Sequence, residues 1–121
     1  WEGSTITLLP GPDASSFTDP LFALAFSRIE NHYFTHDGFF EEGQLIREVH
    51  RLKGIPAVIV QGRYDICTPA ASAWDLYQAW QTVDPAVELH WVGDAGHAFH
   101  EPGILDQLIK TTDRFAANWA G

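Results

Sequence analysis

One apolar segment limits the folds that this chain can adopt. Residues 55–62 are apolar and β-branched almost throughout, without alternation between apolar and polar positions. This pattern is typical of a strand that is buried on both faces, as in a parallel sheet that lies between helices. A second segment of strand character covers residues 87–92. The two segments together predict an α/β protein with a parallel sheet.

Helical patterns precede, separate and follow the two predicted strands. Apolar residues recur at helical spacing in the segments 20–34, 41–52, 69–80 and from 102 onward. The order strand, helix, strand, helix is typical of crossover connections in a parallel sheet. Because two strands do not form a stable open sheet alone, we expect further strands to lie before Trp1. The absence of Met from a chain that starts at Trp1 supports the same expectation.

Composition argues against several classes of partner. The net charge is −9 and the chain has only 7 Lys and Arg residues, which speaks against binding to nucleic acid or to anionic membranes. The sequence has no apolar run of about 18 residues that would predict a membrane span. The single Cys67 excludes an internal disulfide. No metal-ligand spacing and no Gly-rich phosphate loop occur, so we predict neither a metal nor another cofactor.

An acidic and a basic residue follow the two predicted strands. Asp65 comes shortly after the first strand, and His97 comes shortly after the second. Functional groups gather at the carboxyl ends of strands in α/β sheets. There a carboxylate can orient an imidazole that takes a proton from a hydroxyl. Each residue alone has a simpler interpretation, since Asp is common in Asx-turns and His in solvated loops. No G-x-S-x-G nucleophile motif accompanies the pair.

Several motifs extend over almost the whole chain. They are Gly-Arg-Tyr-Asp at 62–65, Ala-Trp-Asp-Leu at 73–76, Asp-Ala-Gly-His at 94–97, Glu-Pro-Gly-Ile at 101–104 and Thr-Asp-Arg-Phe at 112–115. These motifs resemble the C-terminal portion of proline iminopeptidase, a family of serine peptidases with the α/β-hydrolase fold. Segments 1–3 and 28–34 resemble parts of the cap domain of the same family. The resemblance implies that residues 1–53 form the end of a helical cap domain. Residues 54–121 would then form the C-terminal part of the hydrolase core.

The resemblance also implies roles for individual residues. Asp65 would be the acid and His97 the base of a Ser-His-Asp triad. The serine would lie in a missing N-terminal portion, so this chain is expected to be inactive alone. The complete enzyme would release N-terminal proline from peptides, and its location would be cytoplasmic.

Substrate recognition in this family uses cap-domain glutamates and an aromatic wall. Carried over to this chain, the glutamates are Glu2 and Glu30, and Phe34 belongs to the wall. Two carboxylates suit a protonated secondary amine, which offers two N–H donors and a positive charge. Cys67 would line the proline pocket, although the family commonly has its Cys one place later, where this chain has Thr68.

Two alternatives remain open at this point. The chain could be a non-catalytic, truncated α/β-hydrolase fragment that serves as an assembly or binding module, because an uncovered strand edge promotes association. It could also belong to another α/β hydrolase such as an esterase. The paired Glu2 and Glu30 argue against an esterase, since a neutral ester needs no paired carboxylates.

Overall fold

The computed structural model describes residues 5–9 and 18–119, and its first long helix has a well-defined start. Helix α1 (Pro20–Phe34) begins where the Asp19 carboxylate accepts a hydrogen bond from the Leu21 N–H at 2.9 Å. Pro20 occupies the first helical position, where its missing N–H costs nothing. This start and the end at Phe34 confirm the helix that was predicted from the sequence.

The predicted helix over 41–52 is wrong as a continuous element. The structure has a short helix α2 (Gln44–Arg47) and a 3-10 helix (Val49–Leu52) in its place. Gly43 precedes α2 in the left-handed region with φ of 66°, where glycine is favoured. Glu48 separates the two pieces with φ of −96° and ψ of 9°. The apolar spacing was correct, but these two residues leave the helical region.

A parallel pair of strands forms the sheet among the described residues. Strand β1 (Val58–Gly62) pairs with β2 (Glu88–Val92), and the register runs from Val58 opposite Glu88 to Gly62 opposite Val92. Helix α3 (Ala70–Gln81) connects the two strands. The first strand starts three residues later than predicted, after Pro56, whose lack of an N–H removes a ladder donor. The predicted parallel strands and their connecting helix are therefore confirmed.

Helices cover both faces of the two strands. Ile59 packs with the cluster of Val49, Trp80 and Val87. The next residue, Val60, packs with Val92, Ala95 and Ile104. Successive side chains of a strand point to opposite faces. Helix α3 and the C-terminal helix α4 (Pro102–Trp119) both contact the strands. Burial from two sides explains why the sequence of β1 does not alternate.

Helix α1 is set apart from this core. It has no buried residue, and its contacts to other described elements are confined to the 3-10 helix Asp37–Phe39. Several of its apolar side chains are exposed, among them Leu21 at 78%. The division into a cap part (1–53) and a core part (54–121) stays a prediction. None of the described helices combines the length and the apolar character that crossing a membrane requires.

Candidate active site

The loops that follow the two strands lie side by side. Gly62 and Val92 end their strands as register partners. The next residues continue the pairing, because the Arg63 N–H donates to the Val92 carbonyl at 2.9 Å and the Tyr64 N–H donates to the Ala95 carbonyl at 3.0 Å. The backbone itself thus brings the loop that carries Asp65 against the loop that carries His97.

The absence of a side chain at Gly62 permits this close approach. A Cβ atom at Gly62 would lie 1.8 Å from the carbonyl oxygen of Gly96 and 2.9 Å from that of Ala95. Both neighbours are backbone atoms of the His97 loop, so no side-chain rotation could relieve the clash. Ala95 is fully buried at this contact.

The carboxylate of Asp65 is held by its own loop. Its Oδ1 accepts from the backbone N–H groups of Cys67 at 2.9 Å and Thr68 at 2.8 Å. Its Oδ2 accepts from the Thr68 hydroxyl at 2.7 Å and from Gln61 Nε2 at 3.2 Å. Asp65 is therefore a turn-forming residue, and its second oxygen also faces the neighbouring loop. The side chain is only 5% exposed.

His97 lies directly against that second oxygen. Its Nδ1 is 3.0 Å from Asp65 Oδ2 and 3.3 Å from the Thr68 hydroxyl. An ionised carboxylate only accepts hydrogen bonds, so we assign the Nδ1 proton as the donor. In the neutral ring this leaves Nε2 unprotonated and able to accept a proton. The imidazole is 40% exposed, which leaves it accessible to a second reactant.

The surroundings of Asp65 favour its ionised form. Burial raises the pKa of this carboxyl, but the hydrogen bonds from the Thr68 N–H and hydroxyl lower it, as do the hydrogen bond and charge of His97. The net pKa lies below the ordinary value of 3.8. Asp65 is thus a permanent negative charge beside His97 at neutral pH.

Acid should destabilise the protein through Asp65. Since the pKa of Asp65 is lower in the folded state, the unfolded chain binds more protons in the interval below 3.8. The stabilisation is complete above that value and is lost as the pH falls through the folded pKa. Urea unfolding of the complete protein should be measured between about pH 5 and about pH 2. Over this range the free energy of unfolding should fall less in Asp65→Asn than in wild type. Equal losses would contradict the assignment, and Thr68→Val should give an intermediate result.

The other predicted site residues are only partly brought together. Cys67 is half-buried, and its Sγ lies 3.8 Å from both the carbonyl oxygen and the hydroxyl of Thr5. Ligand atoms of Asp65, Cys67 and His97 all lie within 4.8 Å of one another, so these three side chains could hold a metal ion. The predicted absence of a metal remains a prediction.

Two of the predicted recognition residues, Glu30 and Phe34, lie on α1. Glu30 is half-buried, and Phe34 follows it by one helical turn and is 74% exposed. Among the described helices and strands, α1 contacts the 3-10 helix Asp37–Phe39. Glu2 lies outside the described residues. Their convergence on one pocket therefore stays a prediction.

Sequence reasoning missed three polar residues that contact the Asp65–His97 pair or its loops. They are Gln61, Thr68 and Glu101. The loop of Thr68 carried a usable signal, because Asp commonly accepts a hydrogen bond from the backbone N–H two residues further on. Glu101 directly before Pro102 also marks a helix start. Gln61 had no signal, since its role follows from its place at the end of β1.

Comparison with known proteins identifies relatives of the chain. It is 49% identical over 118 residues to the proline iminopeptidase of Xanthomonas citri. It is 51% identical over 119 residues to a probable proline iminopeptidase of Leptolyngbya boryana. The chain is a homologue of the proline iminopeptidases. The proline iminopeptidase of Arabidopsis thaliana is a more distant example at 44% identity over 119 residues. The resemblance seen in the motifs is confirmed.

The relatives are considerably longer than this chain. The match covers 96% of the chain but 36% of the Xanthomonas citri protein, and 97% of the chain but 30% of the Arabidopsis thaliana protein. No protein-family model matches the sequence. Homology to proline iminopeptidases implies an α/β-hydrolase fold, and the parallel strands between helices are compatible with it.

Proposed function

We propose that the complete protein is a serine aminopeptidase that releases N-terminal proline from peptides. One observation carries the proposal: Asp65 and His97 meet at 3.0 Å at the ends of adjacent parallel strands, in a chain homologous to proline iminopeptidases. In this proposal Asp65 is the triad acid and His97 the triad base. The nucleophilic serine belongs to a part of the protein outside this chain, and this chain alone is inactive.

The geometry of the pair suits both halves of an acyl transfer. His97 Nε2 takes the proton from the serine hydroxyl as the serine oxygen bonds to the acyl carbon of proline. Asp65 accepts from Nδ1 and stabilises the imidazolium that forms. His97 then returns the proton to the leaving amine when the peptide C–N bond breaks. Water hydrolyses the acyl-enzyme by the same route, releasing proline and restoring the serine.

Recognition of the substrate is assigned to three residues before position 54, together with Cys67 after it. Glu2 and Glu30 accept hydrogen bonds from the protonated amine of the N-terminal proline, and Phe34 and Cys67 contact its ring. The net charge of −9 is compatible with a cationic ligand. In the same proposal, segment 1–53 ends a cap domain and 54–121 belongs to the hydrolase core. A cytoplasmic location and the absence of a cofactor remain predictions.

Substitution of Glu30 tests the proposed recognition. In the complete protein, Glu30→Gln should raise KM for a prolyl arylamide about ten- to a hundredfold, because the amide oxygen still accepts a hydrogen bond but the negative charge that strengthens it is lost. Hydrolysis of a neutral phenyl ester, which has no amine, should stay within about twofold of wild type. Equal effects on both substrates would reject the anchor role. Failure of the wild-type protein to hydrolyse either substrate would reject the proposed peptidase.

A further inference from the structure

Glu101 is a buried carboxylate outside the proposed triad. Only 7% of the surface of this residue is exposed. Its Oε1 accepts from the Gly96 N–H at 2.8 Å, and its Oε2 accepts from the Leu8 N–H at 3.0 Å. Burial of a carboxylate is costly unless its oxygens find donors. Both oxygens do, and each donor is a backbone group of a different segment.

The same two segments are joined a second time next to His97. The backbone N–H groups of His97 and Ala98 both donate to the Ile6 carbonyl, at 2.9 and 2.7 Å. Segment 5–9 therefore lies beside the His97 loop, where it is fixed by hydrogen bonds to His97, Ala98 and Glu101. A Cβ atom at Gly96 would lie 3.1 Å from both Glu101 Oε1 and the Leu8 nitrogen. An added methyl group at Gly96 would therefore require these neighbours to shift by a few tenths of an ångström.

Glu101 also occupies a rigid position. Its carbonyl accepts from the Leu105 N–H at 2.9 Å, and its own N–H donates to the Ala98 carbonyl at 3.0 Å. It directly precedes helix α4, whose positive N-terminal end favours a neighbouring carboxylate. The carboxylate therefore ties the His97 loop to a helix that packs on the sheet.

We infer that Glu101 is a positioning residue that holds the His97 imidazole against Asp65 by fixing the backbone of Gly96 and of segment 5–9. The inference rests on the proposed function for its catalytic consequence. The carboxylate acts through the backbone N–H of Gly96, which directly precedes His97. When Glu101 is altered, the His97 ring loses its fixed distance to Asp65 Oδ2, which is 3.0 Å in the intact structure. Misplacement of a catalytic group by about 1 Å lowers rates about a hundredfold.

Glu101→Gln in the complete protein is the decisive variant, because it keeps the size of the side chain. Its amide has one acceptor oxygen and one NH₂ group, so either Gly96 or Leu8 must face a donor. Glu42→Gln is the matched control, since Glu42 is an exposed glutamate on another loop. Glu101→Asp serves as a second variant in case Glu101→Gln does not fold, because the shorter side chain cannot reach both N–H groups.

The first measurement is the proton NMR signal of His97 Nδ1–H, identified in ¹⁵N-histidine-labelled protein by comparison with His97→Ala. We expect the hydrogen-bonded signal in wild type and in Glu42→Gln, and its loss or broadening in Glu101→Gln. A purely structural residue would lower the melting temperature and leave this signal in place. An unchanged signal in a folded Glu101→Gln protein would overturn the inference.

The second measurement separates this inference from the proposed peptidase. A fluorophosphonate probe reacts with an activated serine and has no amine for Glu2 and Glu30. Glu101→Gln should lower the labelling rate and kcat for a prolyl arylamide by the same factor of about ten to a hundred, with little change in KM. Wild-type rates in the variant would overturn the inference. If wild-type protein neither labels nor hydrolyses the arylamide, the peptidase proposal fails, and the NMR signal still decides the role of Glu101.

Discussion

Replacing His97 by alanine in the complete protein should lower kcat for a prolyl arylamide by at least about a thousandfold. The imidazole of His97 lies at the strand ends, and its Nδ1 is 3.0 Å from Asp65 Oδ2. Without it, the serine hydroxyl has no acceptor for its proton, and the leaving amine has no donor. KM should change little, since the substrate amine is assigned to Glu2 and Glu30 rather than to His97.

A matched histidine variant separates chemistry from damage to the fold. His50 is exposed on the 3-10 helix Val49–Leu52, and His50→Ala should retain wild-type kcat. Near-normal turnover in His97→Ala would remove His97 from the mechanism. An inactive wild-type protein would instead favour the alternative of a non-catalytic assembly or binding module.

The sheet could be predicted from the sequence because burial on two faces leaves a direct mark on composition. Ile59 and Val60 are adjacent yet pack into different clusters, so an alternating pattern was impossible. The helix over 41–52 could not be predicted correctly from apolar spacing. Its interruption depends on backbone angles at Gly43 and Glu48, to which the periodicity of apolar side chains is insensitive.

The candidate site also has one part that the sequence predicts and one part that it does not. That Asp65 and His97 would be neighbours follows from topology, since parallel strands end at one edge of a sheet. Their catalytic roles stay predictions. The contact of Glu101 with Leu8 joins residues 93 positions apart. No local pattern encodes such a contact, because it depends on how segment 5–9 lies beside the His97 loop.

Gly62→Ala should be strongly destabilising, by about 3 kcal/mol in the free energy of unfolding. The new methyl group would lie 1.8 Å from the Gly96 carbonyl oxygen, and a backbone atom next to buried Ala95 cannot move aside alone. The His97 loop must therefore shift away from β1. Gly96 directly precedes His97, so the shift should also separate the imidazole from Asp65 and lower kcat. Urea unfolding and turnover of the prolyl arylamide measure the two effects.

Gly93→Ala is the control for this substitution, because it adds the same methyl group to the loop after the other strand. Within the described part of the chain, and apart from its two sequence neighbours, nothing lies within 4 Å of a Cβ at Gly93. The free energy of unfolding of Gly93→Ala should stay within about 0.5 kcal/mol of the wild-type value. A slight gain is expected because alanine makes the unfolded chain less flexible. Equal stability of Gly62→Ala and Gly93→Ala would contradict the close approach of the His97 loop to Gly62. A loss of both stability and kcat that is confined to Gly62→Ala would support the close approach of the loops that carry Asp65 and His97.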